Sequence, residues 1–381
     1  MANAHHVALT LTYFILATSK YRAMTAKIID LVNIGLMLIS CVLAFIVPFE
    51  LFLFSYAVLG PLHYLTEMSW LHKRNYFTNG KKDYIFLWAL GGMLTILVVA
   101  SFLHSNWQMS TAYNFFIDLL GAKTFNDVTT FCIYLAFISA LAFVMINDWL
   151  YKIVFIIVGI FIGMVLSNAP AYFYIFSVFL PTLIHVFVFT GLFILYGALK
   201  SKSPTGIGSL VVFVLCGASF FLFFPHFSFY KISDYAQKAL VESGFSYVNQ
   251  AFMYLFKLGE ASRENIFSSD IGFGIMRFIA FAYTYHYLNW FSKTSVIKWH
   301  EVPKQWLAAV IVMWLGAVGL YAYDYRVGLV ALYFLSMLHV FLEFPLNYRS
   351  IMGIGEEIGT LTGLRKPVPA MAQKGGGGKK K

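Results

Sequence analysis

Apolar stretches of membrane-spanning length recur from residue 28 to residue 345, and nothing else in the chain constrains its fold as strongly. A helix needs about 20 mainly apolar residues to cross a hydrocarbon core roughly 30 Å thick. The stretches fall at 28–47, 50–71, 84–103, 127–146, 153–167, 172–198, 209–225, 271–291, 306–323 and 327–345. Each is continuously apolar rather than alternating, which favours helices over a closed barrel. The expectation is therefore an all-α, polytopic integral membrane bundle of about ten transmembrane helices. Residues 1–345 form its single transmembrane domain, and 346–381 form a C-terminal tail ending in the low-complexity run GGGGKKK. Residues 5–19 hold a shorter apolar run, read as an interfacial or partly inserted helix with an eleventh span as the alternative.

With 60% hydrophobic and only 12% charged residues, the 381-residue chain lacks the charge to cover a water-facing surface. Cys41, Cys132 and Cys216 lie in apolar stretches without CxxC spacing, which excludes a disulfide framework or zinc ribbon and leaves packing. The net charge of +10 does not point to nucleic acid, because the basic residues sit in short connections between apolar stretches. Those connections give a topology. Segments 19–27, 72–83, 147–152, 199–208, 292–305 and 346–381 share one side and hold 20 of the 27 Lys and Arg, whereas the other side holds 6. Short cytoplasmic loops are enriched in these residues, so the C-terminus is expected in the cytoplasm. Opposite lie the longer stretches 104–126 and 226–270, the second containing YAQKALVESGFSYVNQAFMYLFKL, read as an interfacial helix lying on the membrane, with a cap on an entrance from the outer leaflet as the alternative.

Ionisable residues inside a bilayer are costly, and those that persist pair, line a cavity or do chemistry. Here they repeat. The second stretch carries His63 and Glu67, and the tenth His339 and Glu343, each pair four residues apart on one helical face. His185 and His286 lie in the sixth and eighth stretches. All four stretches run in the same direction, and three of the histidines lie roughly 9 to 14 Å from the same face at 1.5 Å per residue. His185 counts out several ångströms deeper, in a long stretch containing Pro181.

Imidazoles and carboxylates projecting from four helices are the donor set of a transition-metal site, with His63, Glu67, His185, His286, His339 and Glu343 as ligands. A proton or ion pathway and purely structural pairing are the competing readings. His72, His300 and Glu301 are read as additional ligands or as ordinary interface residues, and Asn289 as a group that orients a ligand or as a weak ligand itself. Tyr64, Tyr283, Tyr285 and Tyr287 suit an aromatic belt or pocket wall, while Asp30 and Arg277 suit pairing or snorkelling.

The phrase GPLHYLTE, Gly60 to Glu67, resembles the Gly-x-Pro-His-Gly-x-x-Asp signature of the Brp/Blh-like membrane carotene dioxygenases. Glu67 stands where that family has Asp, Pro61 stands one place early, and Tyr64 replaces a Gly. The resemblance implies a histidine-bearing membrane fold and iron-dependent cleavage of β-carotene to retinal, with His63 as an iron ligand and Glu67 its acidic companion.

The function expected is a membrane oxygenase or related oxidoreductase. Its cofactor is non-haem iron, in its fuller form two ions, with another transition metal as the alternative. Its substrate is an apolar lipid, acyl chain or isoprenoid/carotenoid reached through the lipid phase, and an electron donor meets the basic cytoplasmic face. The alternative from another class is a proton- or ion-coupled transporter using the same His/Glu site. A histidine-ligated haem carrier ranks last, since it has no use for the glutamates.

Overall fold

The computed structural model describes residues 27–107, 111, 114–115, 118, 125–169, 171–225, 229–293 and 302–364, and among them there is no strand. The chain opens with α1 (Lys27–Ile46). Next come α2 (Pro48–Phe54) and α3 (Gly60–His72), joined by a π-helical turn at Ser55–Leu59. Then follow α4 (Asp83–Trp107), α5 (Phe125–Met145), α6 (Trp149–Leu166), α7 (Ala171–Ser201) and α8 (Pro204–Leu222). The short α9 (Asp234–Glu242), α10 (Ser246–Leu255) and α11 (Arg263–Ser268) lead into α12 (Asp270–Ser292), α13 (Lys304–Tyr323) and α14 (Tyr325–Leu361). Residues 5–19 and the tail beyond 364 lie outside the described residues.

Among the described residues, eight helices are long and apolar enough to cross a membrane: α1, α4 to α8, α13 and α14. The expected stretches outside this set are 50–71 and 271–291. Both are helical, but the first is broken by the π turn and carries His63 and Glu67, and the second carries Arg277, His286 and Asn289. These polar residues lower the hydropathy of both stretches. In α12 every residue from Ile275 to Tyr287 is buried. The outside is apolar instead: on α6, Leu150, Phe161 and Val165 are 65%, 64% and 73% exposed. Apolar side chains facing outward with the ionisable residues turned inward is the arrangement a hydrocarbon solvent selects.

Local chemistry sets the joints. Lys202 takes the left-handed conformation at φ +52° and ends α7; Ser203 then caps α8 through Gly206 N, with Pro204 in the first turn. Gly244, at φ +79°, makes the bend between α9 and α10, so the expected interfacial helix is two short amphipathic ones.

Side-chain contacts sort the helix ends into two faces. On one face, Lys152 Nζ lies 2.7 Å from Asp83 Oδ2, Ser203 and Thr205 donate to Asp30 Oδ2, and Arg349 donates to Asn79. On the other, Tyr230 donates to Glu50, Arg326 to Ser105, and Arg277 to the Pro225 carbonyl. The described parts of the charge-rich segments thus share a face. One boundary changes: residues 346–361, expected within the tail, continue α14 as helix. At 37 residues α14 is about 55 Å long, well beyond the hydrocarbon core. Its extension is partly buried, through Asn347, Ser350, Gly353 and Ile354.

Helices α3, α12, α7 and α14 form a cycle in which each packs against the next and α14 returns to α3. The candidate site lies inside this cycle.

Candidate metal centre

Each helix of the cycle delivers one imidazole. Along α7 the backbone is π-helical from Tyr174 to Phe189, with Pro181 inside it. Proline lacks the amide hydrogen of an α-helical ladder and clashes with the carbonyl four residues back, and i→i+5 winding relieves that conflict. The expected extra depth of His185 is corrected by this winding. An α-helical count overestimates the advance along the axis, and the structure brings His185 level with the other histidines.

The four rings close a circle: His63–His286 at 4.8 Å between centroids, His286–His185 at 4.9 Å, His185–His339 at 5.3 Å and His339–His63 at 5.5 Å. All four are at least 94% buried. A carboxylate joins each of two opposite members. Glu67 Oε2 lies 3.1 Å from His63 Nε2, and Glu343 Oε2 lies 3.4 Å from His185 Nε2. The sequence expectation for the second pair is changed, since Glu343 serves the histidine of α7 rather than His339 on its own helix. His339 instead completes a compact group with His63 and Glu67, whose donor atoms all lie within 4.8 Å of one another.

Neither His–Glu contact has hydrogen-bond alignment. Both ring nitrogens of His63 and of His185, Nε2 of His286, Nδ1 of His339, and Oε2 of Glu67 and of Glu343 have no hydrogen-bond partner among the described residues. An unsatisfied buried polar group costs about 1–3 kcal/mol, so eight together rival the roughly 5–15 kcal/mol stability of a whole domain. A shared cation would satisfy these donors. Two donors about 2.1 Å from one ion lie about 3.0 Å apart at octahedral and about 3.4 Å at tetrahedral angles, and the two contacts fall in this range.

One imidazole has a ring nitrogen engaged by a hydroxyl. Thr190 Oγ1 lies 2.8 Å from His286 Nδ1, leaving Nε2 to face the other rings. Thr190 closes the π-helical stretch five residues after His185. A lone threonine in an apolar run carries no sequence signal, and its role depends on a winding the sequence does not announce.

Two cavities meet the cluster from different sides. One, of about 510 Å³, reaches His63, Glu67, His286 and Glu343 and extends past Trp290 and Asn289 to Lys293, Lys200 and Arg349. The other, about 240 Å³, reaches His185 and His339 and is walled by Tyr56, Tyr283, Tyr287 and Tyr333. Residues Ser243 to Phe245, at the α9–α10 bend, close part of it.

Of the remaining candidates, Asn289 is buried and lines the larger cavity. His72 is exposed at the end of α3 with Nδ1 3.0 Å from Tyr76 Oη, away from the ring of imidazoles. His300 and Glu301 lie outside the described residues. Tyr64 stacks obliquely near His339 at 5.6 Å, whereas Tyr285 turns away and donates to Asn33. Comparison with known protein families, with curated proteins and with solved structures gives no match.

Proposed function

We propose that this protein is a multi-pass integral membrane non-haem iron oxygenase, or a related oxidoreductase, acting on an apolar substrate drawn from the lipid phase. The observation that carries the reading is the closed ring of four buried imidazoles with two carboxylates and eight unpartnered polar atoms. A nitrogen and carboxylate donor set without sulfur suits iron among the redox metals, and six donors suffice for one ion or two.

Iron held there would supply electron transfer to dioxygen, which the side chains alone cannot. His63, Glu67 and His339 form one half of the ligand set, and His185, Glu343 and His286 the other. Thr190 fixes the orientation of His286. The tyrosine-walled cavity receives an apolar segment and excludes water, and the α9–α10 pair covers its outer end. The α2–α3 and α12 helices complete a bundle of about ten spans, with the charge-rich face and the C-terminus in the cytoplasm. A chemistry that needs external electrons draws them from a donor at that face.

Elemental analysis of detergent-purified protein, with its absorption spectrum, tests this reading. Stoichiometric iron without a Soret band is the expected result. Protein that is metal-free after expression in iron-replete medium, yet moves protons or ions in vesicles, overturns it in favour of the transporter alternative.

A further inference from the structure

Three cations stand around the larger cavity without a carboxylate within 4.0 Å among the described residues: Lys200, Lys293 and Arg349. Each is seated over an aromatic ring instead. Lys293 Nζ lies 5.1 Å from the Phe193 centroid, Lys200 Nζ 5.2 Å from that of Tyr196, and Arg349 Cζ 5.7 Å from that of Phe77. Cation–π contact positions a charge without neutralising it. Lys293 is half-buried, while Lys200 and Arg349 are exposed at the rim, so positive charge runs from the mouth inward. Trp70, Trp290 and Leu346 line the same cavity. Its floor is the His/Glu cluster, and Lys293 follows His286 by seven residues, about 10 Å along a helix axis.

We infer that this cavity binds the anionic head of a single-chain amphiphile, a carboxylate or a phosphate monoester, at Lys293, Arg349 and Lys200. Its apolar chain passes the tryptophans toward the cluster at the cavity floor. The inference rests on the metal-centre reading, because an ion there claims the charge of Glu67 and Glu343, which otherwise offsets the cations. The volume, about 510 Å³, lies in the range of small-molecule sites. The helical continuation of α14 past residue 345 acquires a purpose here, since it carries Arg349 and Leu346 to the wall.

The test uses the full chain in phosphatidylcholine nanodiscs and radiolabelled palmitate, with palmitate, hexadecyl phosphate and hexadecanol as competitors of equal chain length. Iron content is measured on the same samples. The expected result is that one of the two anions competes at least about tenfold better than hexadecanol. Which anion it is assigns the head as carboxylate or phosphate. Lys293→Gln combined with Arg349→Gln is expected to remove that preference while hexadecanol binding stays unchanged, and Lys293→Arg is expected to keep it, which separates charge from folding. Equal competition by all three compounds, or an undiminished anion preference in the double variant, overturns the inference. Wild-type protein without iron overturns the oxygenase reading and the inference with it, whereas equal competition in iron-loaded protein overturns the inference alone.

Discussion

Glu343 Oε2 lies 3.4 Å from His185 Nε2, so a carboxylate on α14 serves a histidine on α7 and not its own neighbour one turn earlier. Among the described residues, His63, Glu67 and His339 form the compact group, while Glu343 pairs with His185 across two helices. Glu343→Gln should lower bound iron by at least about half, as His185→Ala does, because an amide is a poorer ligand than a carboxylate. Glu67→Gln should behave like His63→Ala. Inductively coupled plasma mass spectrometry of monodisperse protein reads the result, and full metal content in all four variants removes the site.

Thr190 offers a test that leaves every ligand in place. Its hydroxyl holds His286 through Nδ1, and loss of such an orienting partner typically weakens metal affinity by about 10- to 100-fold. Thr190→Val keeps the shape and removes the hydrogen bond, whereas Thr190→Ser restores it. Competition against a calibrated chelator should rank them Val well below Ser and wild type. A Val variant indistinguishable from wild type would show that His286 needs no such support.

The helical class and the identity of the clustered polar residues were legible from sequence because both follow from a cost. Backbone groups in hydrocarbon must bond within the segment, and His or Glu in such a segment needs a partner. Partner choice was not legible. It depends on the π-helical winding around Pro181, which resets the level of His185, and on the packing of α7 against α14, which delivers Glu343 to it. Lys293, Lys200 and Arg349 looked like ordinary loop charges because only the folded chain places them around one cavity. Hydropathy also failed to separate a tail from a helix after Pro345, since the continuation of α14 mixes Arg349, Glu356 and Glu357 with the exposed apolar residues Ile351, Met352, Ile358 and Leu361.

Asp83 and Lys152 form a buried ion pair, 2.7 Å apart and 6% and 2% exposed, away from the cluster. Asp83 also accepts from the Gly80 amide at 2.8 Å. Removing one partner strands the other charge, which typically costs about 3–5 kcal/mol. Asp83→Asn should therefore lower the unfolding temperature in detergent markedly. Lys152→Met should cost less, because Asp83 keeps its backbone partner. Adding Lys152→Met to Asp83→Asn should recover part of the loss by removing the stranded ammonium. A double variant no more stable than Asp83→Asn alone would mean the pair contributes nothing through its charge.

Cys41, Cys132 and Cys216 are buried and unpaired, which gives a quiet background for placing new thiols. Lys81 and Thr362 are exposed on the charge-rich face, and Lys238 is exposed on α9, beyond the opposite ends. If basic loops stay inside the cell, a membrane-impermeant maleimide applied to intact cells should label Lys238→Cys and spare Lys81→Cys and Thr362→Cys. All three should react once the membrane is permeabilised. Labelling of Lys81→Cys and Thr362→Cys with protection of Lys238→Cys would invert the orientation while keeping the two faces. Labelling of Lys81→Cys together with Lys238→Cys in intact cells would contradict the two faces themselves, and with them the placement of Lys293 and Arg349 beside a cytoplasmic donor.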